Sequence, residues 1–325
     1  MTLYHHMTLY LKYRPQTIEE IDITSVRTTL SNILKSGNIP HAFLFAGPRG
    51  TGKTSLARIL AKTINCEDHK VQPCNKCQNC ISITNGNNID VIEMDAASNR
   101  GIDDIRLLRD AVKLSPANSK AKIYIIDECH MLTTEASNAL LKTLEEPPVH
   151  VYFILATTNP EKLIETIKSR ATLVQFTKAT SREIKRSLER IIKSEKLIIK
   201  SEDIDKIIKI AKGSFRDAVK ALEQYSSDSS FLNEDLEADS SELVLSIIKK
   251  DIVKSLEIIK KSTNIENLTD ELLDKLHQIL IETQDNSIIP LIEFILTSKE
   301  MVKYSPIEEL PLEVALIKWV KLPQA

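Results

Sequence analysis

Glycine is scarce in this chain, with seven in 325 residues. Three of the seven are Gly47, Gly50 and Gly52. So sparing a sequence places glycine where the backbone must turn tightly or approach something closely. Cysteine is scarce and uneven. Of five, Cys66, Cys74, Cys77 and Cys80 lie within fifteen residues, and Cys129 stands alone. No apolar run approaches the ~18 residues that a membrane span needs, so no membrane partner is expected. The opening Met1-Thr2-Leu3-Tyr4-His5-His6 lacks the basic-then-apolar order of a secretory signal, and a cytoplasmic protein is expected. In a reducing compartment, clustered cysteines read as metal ligands rather than disulfides. Residues 1–4 recur as residues 7–10, which makes Met7 a second candidate start.

The stretch 226–242 lacks any basic residue and carries six acids, so it reads as a linker. It opens an acidic region. Residues 1–225 hold 33 basic and 26 acidic side chains, and residues 226–325 hold 10 and 19. The front part is suited to meet anions and the back part is not. Composition is otherwise that of a globular protein, at 42% hydrophobic and 27% charged, and the length suggests about two domains.

Residues 41–46, 90–94, 122–126, 151–155 and 172–176 are short apolar runs separated by helix-like stretches such as 54–65, 102–114 and 135–144. Near-continuous apolar runs suit strands buried on both faces. The alternation predicts an α/β unit with a parallel sheet covered by helices. From residue 181 only helical patterns follow, with Ser181 as the expected N-cap and breaks near Lys200-Ser201 and Gly213. Helices are expected at 243–261, 268–282, 288–297 and 311–320.

Gly47-Pro48-Arg49-Gly50-Thr51-Gly52-Lys53-Thr54 fits the phosphate-loop pattern, directly after a predicted strand and opening a predicted helix. Glycines let backbone N–H groups face phosphate oxygens, and the helix N-terminus adds its positive dipole end. Lys53 is expected at the β- and γ-phosphates and Thr54 at Mg²⁺, with Thr51 and Ser55 in the same cradle. The strand at 122–126 runs into Asp127-Glu128. Asp127 is placed at Mg²⁺ and Glu128 at the attacking water, since phosphoryl transfer needs positioning and charge neutralisation above all. Thr158 ends another apolar run where it would meet the γ-phosphate. Arg170, read alone, is better taken as a plain surface charge.

Four thiolates spaced Cys66-x7-Cys74-x2-Cys77-x2-Cys80 suit a structural tetrahedral Zn²⁺. His69 is a competing ligand, and an iron–sulfur cluster is a rival that lacks the following Cys-Pro signature. Cys129 reads as a small core residue.

These features together resemble the AAA+ ATPases, and within them the gamma/tau clamp-loader subunits of bacterial DNA polymerase III. The resemblance rests on Lys12-Tyr13-Arg14-Pro15-Gln16-Thr17, the phosphate loop, the cysteine insert, Asp95-Ala96-Ala97-Ser98, residues 126–132 and 138–148, Thr158, Ser169-Arg170 and residues 213–217. It implies ATP, Mg²⁺ and Zn²⁺ as cofactors. It implies a domain plan of 1–178 AAA+ ATPase with a zinc insert at 66–80, 179–225 helical lid, 226–242 linker and 243–325 helical collar. It places Tyr13, Arg14 and Pro15 at the adenine. Thr158 becomes the first sensor and Arg216 the lid arginine that touches the γ-phosphate. Arg170 becomes a finger reaching the neighbouring subunit's ATP. Arg100 and Arg106 become DNA-backbone contacts. The implied partners are delta, delta prime and further gamma copies in a five-membered ring, the sliding clamp and primed DNA. Nucleotide addition would belong to the polymerase complex, not to this chain.

The chain departs from the family pattern at Ala171 after the finger, at Ile21-Asp22-Ile23-Thr24 where a Gly-Gln pair is usual, and at Asn99. It ends at Ala325 without a long tail, so the short gamma-type form is expected. Two other readings compete: a non-hydrolysing ring subunit of the delta prime type, and another AAA+ DNA-remodelling ATPase.

Overall fold

The computed structural model describes residues 8–68, 73–99, 101–228, 236–262, 265–302 and 304–321. The chain divides into two compact units, Met1–Ser229 and Ser230–Ala325.

In the first unit, β1 (Ala42–Ala46), β2 (Val91–Asp95), β3 (Lys122–Asp127), β4 (Val151–Thr157) and β5 (Thr172–Gln175) form one sheet in the order β2-β3-β4-β1-β5. Every pairing is parallel. Successive side chains alternate between two cores. Phe43, Phe45, Ile123, Ile125 and Ile154 enter one, and Leu44, Tyr124, Ile126, Phe153 and Leu155 enter the other. Both faces are therefore apolar, which is why these strands read as unbroken hydrophobic runs.

The helices α1 (Leu9–Lys12), α2 (Thr24–Lys35), α3 (Lys53–Asn65), α4 (Gln78–Asn85), α5 (Ile102–Val112), α6 (Thr134–Glu145) and α7 (Glu165–Lys168) interleave with the strands. Leu56, Ile59 and Leu60 of α3 cover one face; Ile105 and Leu108 of α5 and Leu140 of α6 cover the other. Then follow α8 (Ser181–Glu195), α9 (Ser201–Ile210) and α10 (Phe215–Ser227). Ser181 is not the cap of α8. Thr180 is: its hydroxyl accepts from the Glu183 N–H while the Glu183 carboxylate accepts from the Thr180 N–H. A capping box satisfies two orphan donors at once, which one serine hydroxyl cannot do.

Parallel pairing carries one consequence for function. Ala46 of β1 pairs with Thr157 of β4, and Ile126 of β3 pairs with Leu155 of β4. The C-terminal ends of these three central strands therefore deliver Gly47, Asp127-Glu128 and Thr158 to one edge of the sheet, where ligands of open α/β folds bind.

The second unit is helical, with α11 (Leu236–Ile248), α12 (Ile252–Lys261), α13 (Ile265–Thr283), α14 (Ile289–Val302) and α15 (Leu310–Val320). Leu243, Ile259, Leu268, Leu272, Ile295 and Leu312 form its core. Here the expectation needs two corrections. The acidic stretch 226–242 is not all linker, because α11 begins at Leu236. The helix expected at 243–261 is two, because Lys250 takes φ +59° and Asp251 caps α12 by accepting from the Lys254 N–H. Among the described residues no helix is long and apolar enough to cross a membrane.

Candidate nucleotide site and metal centre

The phosphate loop leaves β1 and enters α3 through positive-φ glycines. At Gly47 (φ +149°) a Cβ would stand 2.2 Å from the Phe176 carbonyl oxygen, so no other residue fits. At Gly50 (φ +75°) it would stand 2.0 Å from the Ser214 hydroxyl. That second contact ties the loop to α10, whose Phe215 and Arg216 N–H groups donate to the Gly50 carbonyl at 3.0 and 3.4 Å.

The loop borders a cavity of ≈ 620 Å³. Its walls include Tyr10, Tyr13, Arg14, Pro15, Gly50, Thr51, Gly52, Lys53, Thr54, Ser55, Asp127, Glu128, Thr158 and Arg216. The fold thus brings together nearly all residues expected at a nucleotide, from five separate stretches of sequence: 13–15, 50–55, 127–128, 158 and 216.

Inside the cavity Lys53, Asp127 and Glu128 are each hydrogen-bonded to neighbouring protein groups. The Lys53 ammonium is buried and donates to the Gly47 and Pro48 carbonyls at 2.7 and 2.8 Å. Burial pulls it below its ordinary pKa, and the Glu128 and Asp127 carboxylates oppose that. Thr54 donates its hydroxyl to Asp127 Oδ2 at 2.7 Å. These two oxygens form a hard donor set suited to Mg²⁺. Glu128 sits at φ +48°, an uncommon backbone state for a non-glycine residue. Its Oε2 accepts from the Thr158 hydroxyl at 2.8 Å and the Thr158 N–H at 3.2 Å.

Four contributors escaped the sequence reading. His130 lies between Thr157 Oγ1 (2.9 Å) and Asn159 Nδ2 (3.5 Å), with Glu128 Oε2 3.4 Å away. Its position three residues past Asp127 was the available signal. Tyr10 places its ring 6.0 Å from the Arg216 guanidinium carbon, a cation–π distance. Asp22, which lines the cavity beside Ile21 and Ile23, is buried and accepts from Arg186 at 2.9 Å and Arg190 at 2.5 Å. These α8 partners are over 160 residues away, so no local pattern could reveal them. The last, Lys62, does not line the cavity but binds Gln16, next to the lining segment 13–15. Tyr13 turns its hydroxyl to Glu195 at 2.6 Å. Burial pulls Arg14 below its ordinary pKa, with Arg58 adding and Glu93 opposing.

Arg170 stands apart. Its guanidinium is bound to Glu145 and to the Thr166 carbonyl, and it does not line the cavity. Arg106 is exposed on α5 and pairs with Asp103 at 3.1 Å. Arg100 and the competing metal ligand His69 lie outside the described residues.

The cysteines form the second cluster. The Sγ atoms of Cys66, Cys74, Cys77 and Cys80 all lie within 4.8 Å of one another. With Zn–S bonds of about 2.3 Å, tetrahedral sulfurs stand about 3.8 Å apart, so the set fits zinc. Backbone N–H groups already face the sulfurs: Cys74 donates to Cys66 at 3.3 Å, Cys77 to Cys74 at 3.3 Å and Cys80 to Cys77 at 3.4 Å. The N–H groups of Lys76 and Cys77 draw the Cys74 thiol down to about 7. Cys129 is buried in the core, as expected.

A family model described as DNA polymerase III, delta subunit, matches residues 24–180. DNA polymerase III subunit tau of Bacillus subtilis is 43% identical over 282 residues, covering 86% of this chain and 49% of that protein. Subunit gamma of Buchnera aphidicola is 39% identical over 287 residues, covering 83% and 77%. The chain spans about half, or less, of the length of the first curated relatives it matches. Among solved structures, a Thermotoga maritima RuvB variant superposes with a TM-score of 0.51 at 19% identity, covering 93% of this chain and 91% of its own. That likeness establishes the AAA+ fold alone. The fold, the assembled phosphate-loop cavity and the relatives converge, and the chain belongs to the DNA polymerase III gamma/tau subunit family.

Proposed function

We propose that the chain is an ATP-hydrolysing motor subunit of the bacterial clamp loader, acting in the cytoplasm within the DNA polymerase III assembly. It would work in a ring with delta, delta prime and further gamma-type copies to place a sliding clamp on primed DNA. One observation carries the reading. Lys53, Thr54, Asp127, Glu128, Thr158 and Arg216 converge on one cavity in a chain whose relatives are gamma/tau subunits.

The chemistry follows from who holds what. Thr54 and Asp127 would hold Mg²⁺, which neutralises phosphate charge when bound. Lys53 would exchange its two loop carbonyls for phosphate oxygens, a stronger charge-assisted bond. Glu128, released from Thr158, would orient the attacking water. Thr158 and Arg216 would then meet the γ-phosphate. Tyr13, Arg14 and Pro15 would flank the adenine. Arg170, tied away from its own cavity by Glu145, would serve a neighbour's ATP. Arg106, with Arg100, would touch DNA phosphate rather than bases. The four cysteines would hold one structural Zn²⁺ per chain.

The delta-named family model favours a second reading, a ring subunit that does not hydrolyse ATP. One pair of variants decides. Lys53→Ala should abolish ATP binding. Glu128→Gln should keep binding and lose turnover by at least about two orders of magnitude. Equal ATP affinity in wild type and Lys53→Ala would overturn the nucleotide assignment. Wild-type turnover in Glu128→Gln within the assembled complex would support the non-hydrolysing reading.

A further inference from the structure

Lys62 is 1% exposed, yet it lies about one turn before the first zinc-ligand candidate, Cys66, which caps the helix that the phosphate loop opens. Burying an ammonium is costly unless it is fully hydrogen-bonded. Lys62 meets that demand with three acceptors: the Gln16 carbonyl at 2.9 Å, Gln16 Oε1 at 2.7 Å and Asn75 Oδ1 at 2.7 Å. Asn75 is the turn residue between Cys74 and Cys77, held at φ +56°. Gln16 directly follows the cavity-lining segment Tyr13-Arg14-Pro15, and its own side-chain N–H donates back to the Arg14 carbonyl at 3.0 Å. A second contact comes from Thr84 on α4, whose hydroxyl donates to the Cys80 carbonyl at 2.9 Å and lies 3.3 Å from Gln16 Oε1. The Cys74–Cys77 turn, through Asn75 and Lys62, and the helix that follows the insert thus meet at one glutamine, whose side chain is bonded to the cavity-lining Arg14.

We infer that the four-cysteine centre is an allosteric support for the nucleotide site, with Lys62 and Gln16 as positioning residues that transmit its occupancy to the segment 13–15. This deepens the proposed ATP-binding reading and rests on it. A metal bound by thiolates fixes the Cys74–Cys77 turn, and with it Asn75. Four thiolates around one Zn²⁺ also leave net negative charge beside a buried cation. Both effects hold Lys62 on Gln16, so zinc loading should tighten ATP binding. Linkage requires the reverse with the same factor: ATP should tighten zinc binding.

The test uses the whole chain, ATP titrated calorimetrically and zinc release followed with the chromophoric chelator pyridylazoresorcinol. Removing zinc from wild type should weaken ATP binding by roughly fivefold or more, the lower end of ordinary coupling. Lys62→Met, loaded with zinc, should bind ATP as weakly as stripped wild type and should not weaken further when stripped. ATP should slow zinc release from wild type and not from the variant. Should Lys62→Met fail to fold, Gln16→Ala carries the test with the same expected pattern, because its side chain is only partly buried. A strut that served stability alone would lower the melting point without removing the zinc–ATP linkage. Equal ATP affinity of loaded and stripped wild type would overturn the inference while leaving the ATP assignment intact. A loaded wild type that binds no ATP would overturn both.

Discussion

The cavity and the cysteine insert sit on opposite ends of the same helix, α3, and are built in opposite ways. The cavity gathers residues from position 10 to position 219, brought together by the C-terminal ends of parallel strands. The insert closes within 66–80. In the cavity the two groups proposed for catalysis hold partners that a ligand can replace: loop carbonyls for Lys53, Thr158 for Glu128. In the insert the sulfurs already receive backbone N–H groups and gain only a metal. A site that must exchange partners is assembled by the fold. A site that must not is assembled by local chain.

This contrast assigns different signatures to damage in the two regions. The largest effect should come from a residue outside both. Arg170→Ala should lower ATP turnover of the assembled ring by ~10³–10⁵, as loss of an arginine finger does, and leave the ATP affinity of the single chain unchanged. A matching loss in the isolated chain would place the finger in cis and break the contrast. Next, stripping the metal should act through folding, because structural metal binding is folding free energy. Loss of a few kcal/mol should lower Tm by roughly 5–10 °C. Elemental analysis should find one zinc per chain; iron, or a fully folded metal-free chain of unchanged Tm, would contradict this.

A smaller effect tests the scaffold beneath the insert. Asp90 is buried and accepts at 2.8 Å from the N–H groups of Ala117, Asn118 and Ser119. Burial pushes its pKa up, but those donors outweigh it and hold the carboxyl below its usual value. A lowered folded pKa means stability that is present above the ordinary aspartate range and is lost as pH falls through the folded value. Asp90→Asn should cost about 1–3 kcal/mol at neutral pH, and the gap from wild type should close in acid unfolding titrations. Smallest of all, Arg106→Ala should reduce the salt slope of DNA binding by about one, with no change in sequence preference.

Much of the first unit was legible because its physics is local. A strand apolar on both faces is an unbroken run, and a glycine cluster in a glycine-poor chain marks the phosphate loop. The cap of α8 stands at Thr180, one residue before the expected Ser181, because the two are chemically alike and only the Glu183 partner separates them. The helical start at Leu236 was hidden by acids and serines that read as loop, although Leu243, Val244 and Ile247 already carry helical spacing. In the site, motif residues were legible and supports were not. Asp22 depends on Arg186 and Arg190, and Lys62 on Gln16, through folding rather than spacing. Lys62 did leave one trace: a charge three residues after Ile59, on the buried stripe of α3.

On the proposed reading, ATP is bound within one chain and turned over between chains. Steady-state hydrolysis of the single chain, at concentrations too dilute to associate, can be compared with that of the ring assembled with its partner subunits, clamp and primed DNA. The account requires saturable ATP binding with slow turnover in the first and turnover faster by orders of magnitude in the second. It also requires that mixing Arg170→Ala with Lys53→Ala subunits restores activity only where an intact phosphate loop faces an intact arginine. A dilute single chain that hydrolysed ATP at the full rate of the complex, and lost that rate on Arg170→Ala, would contradict it.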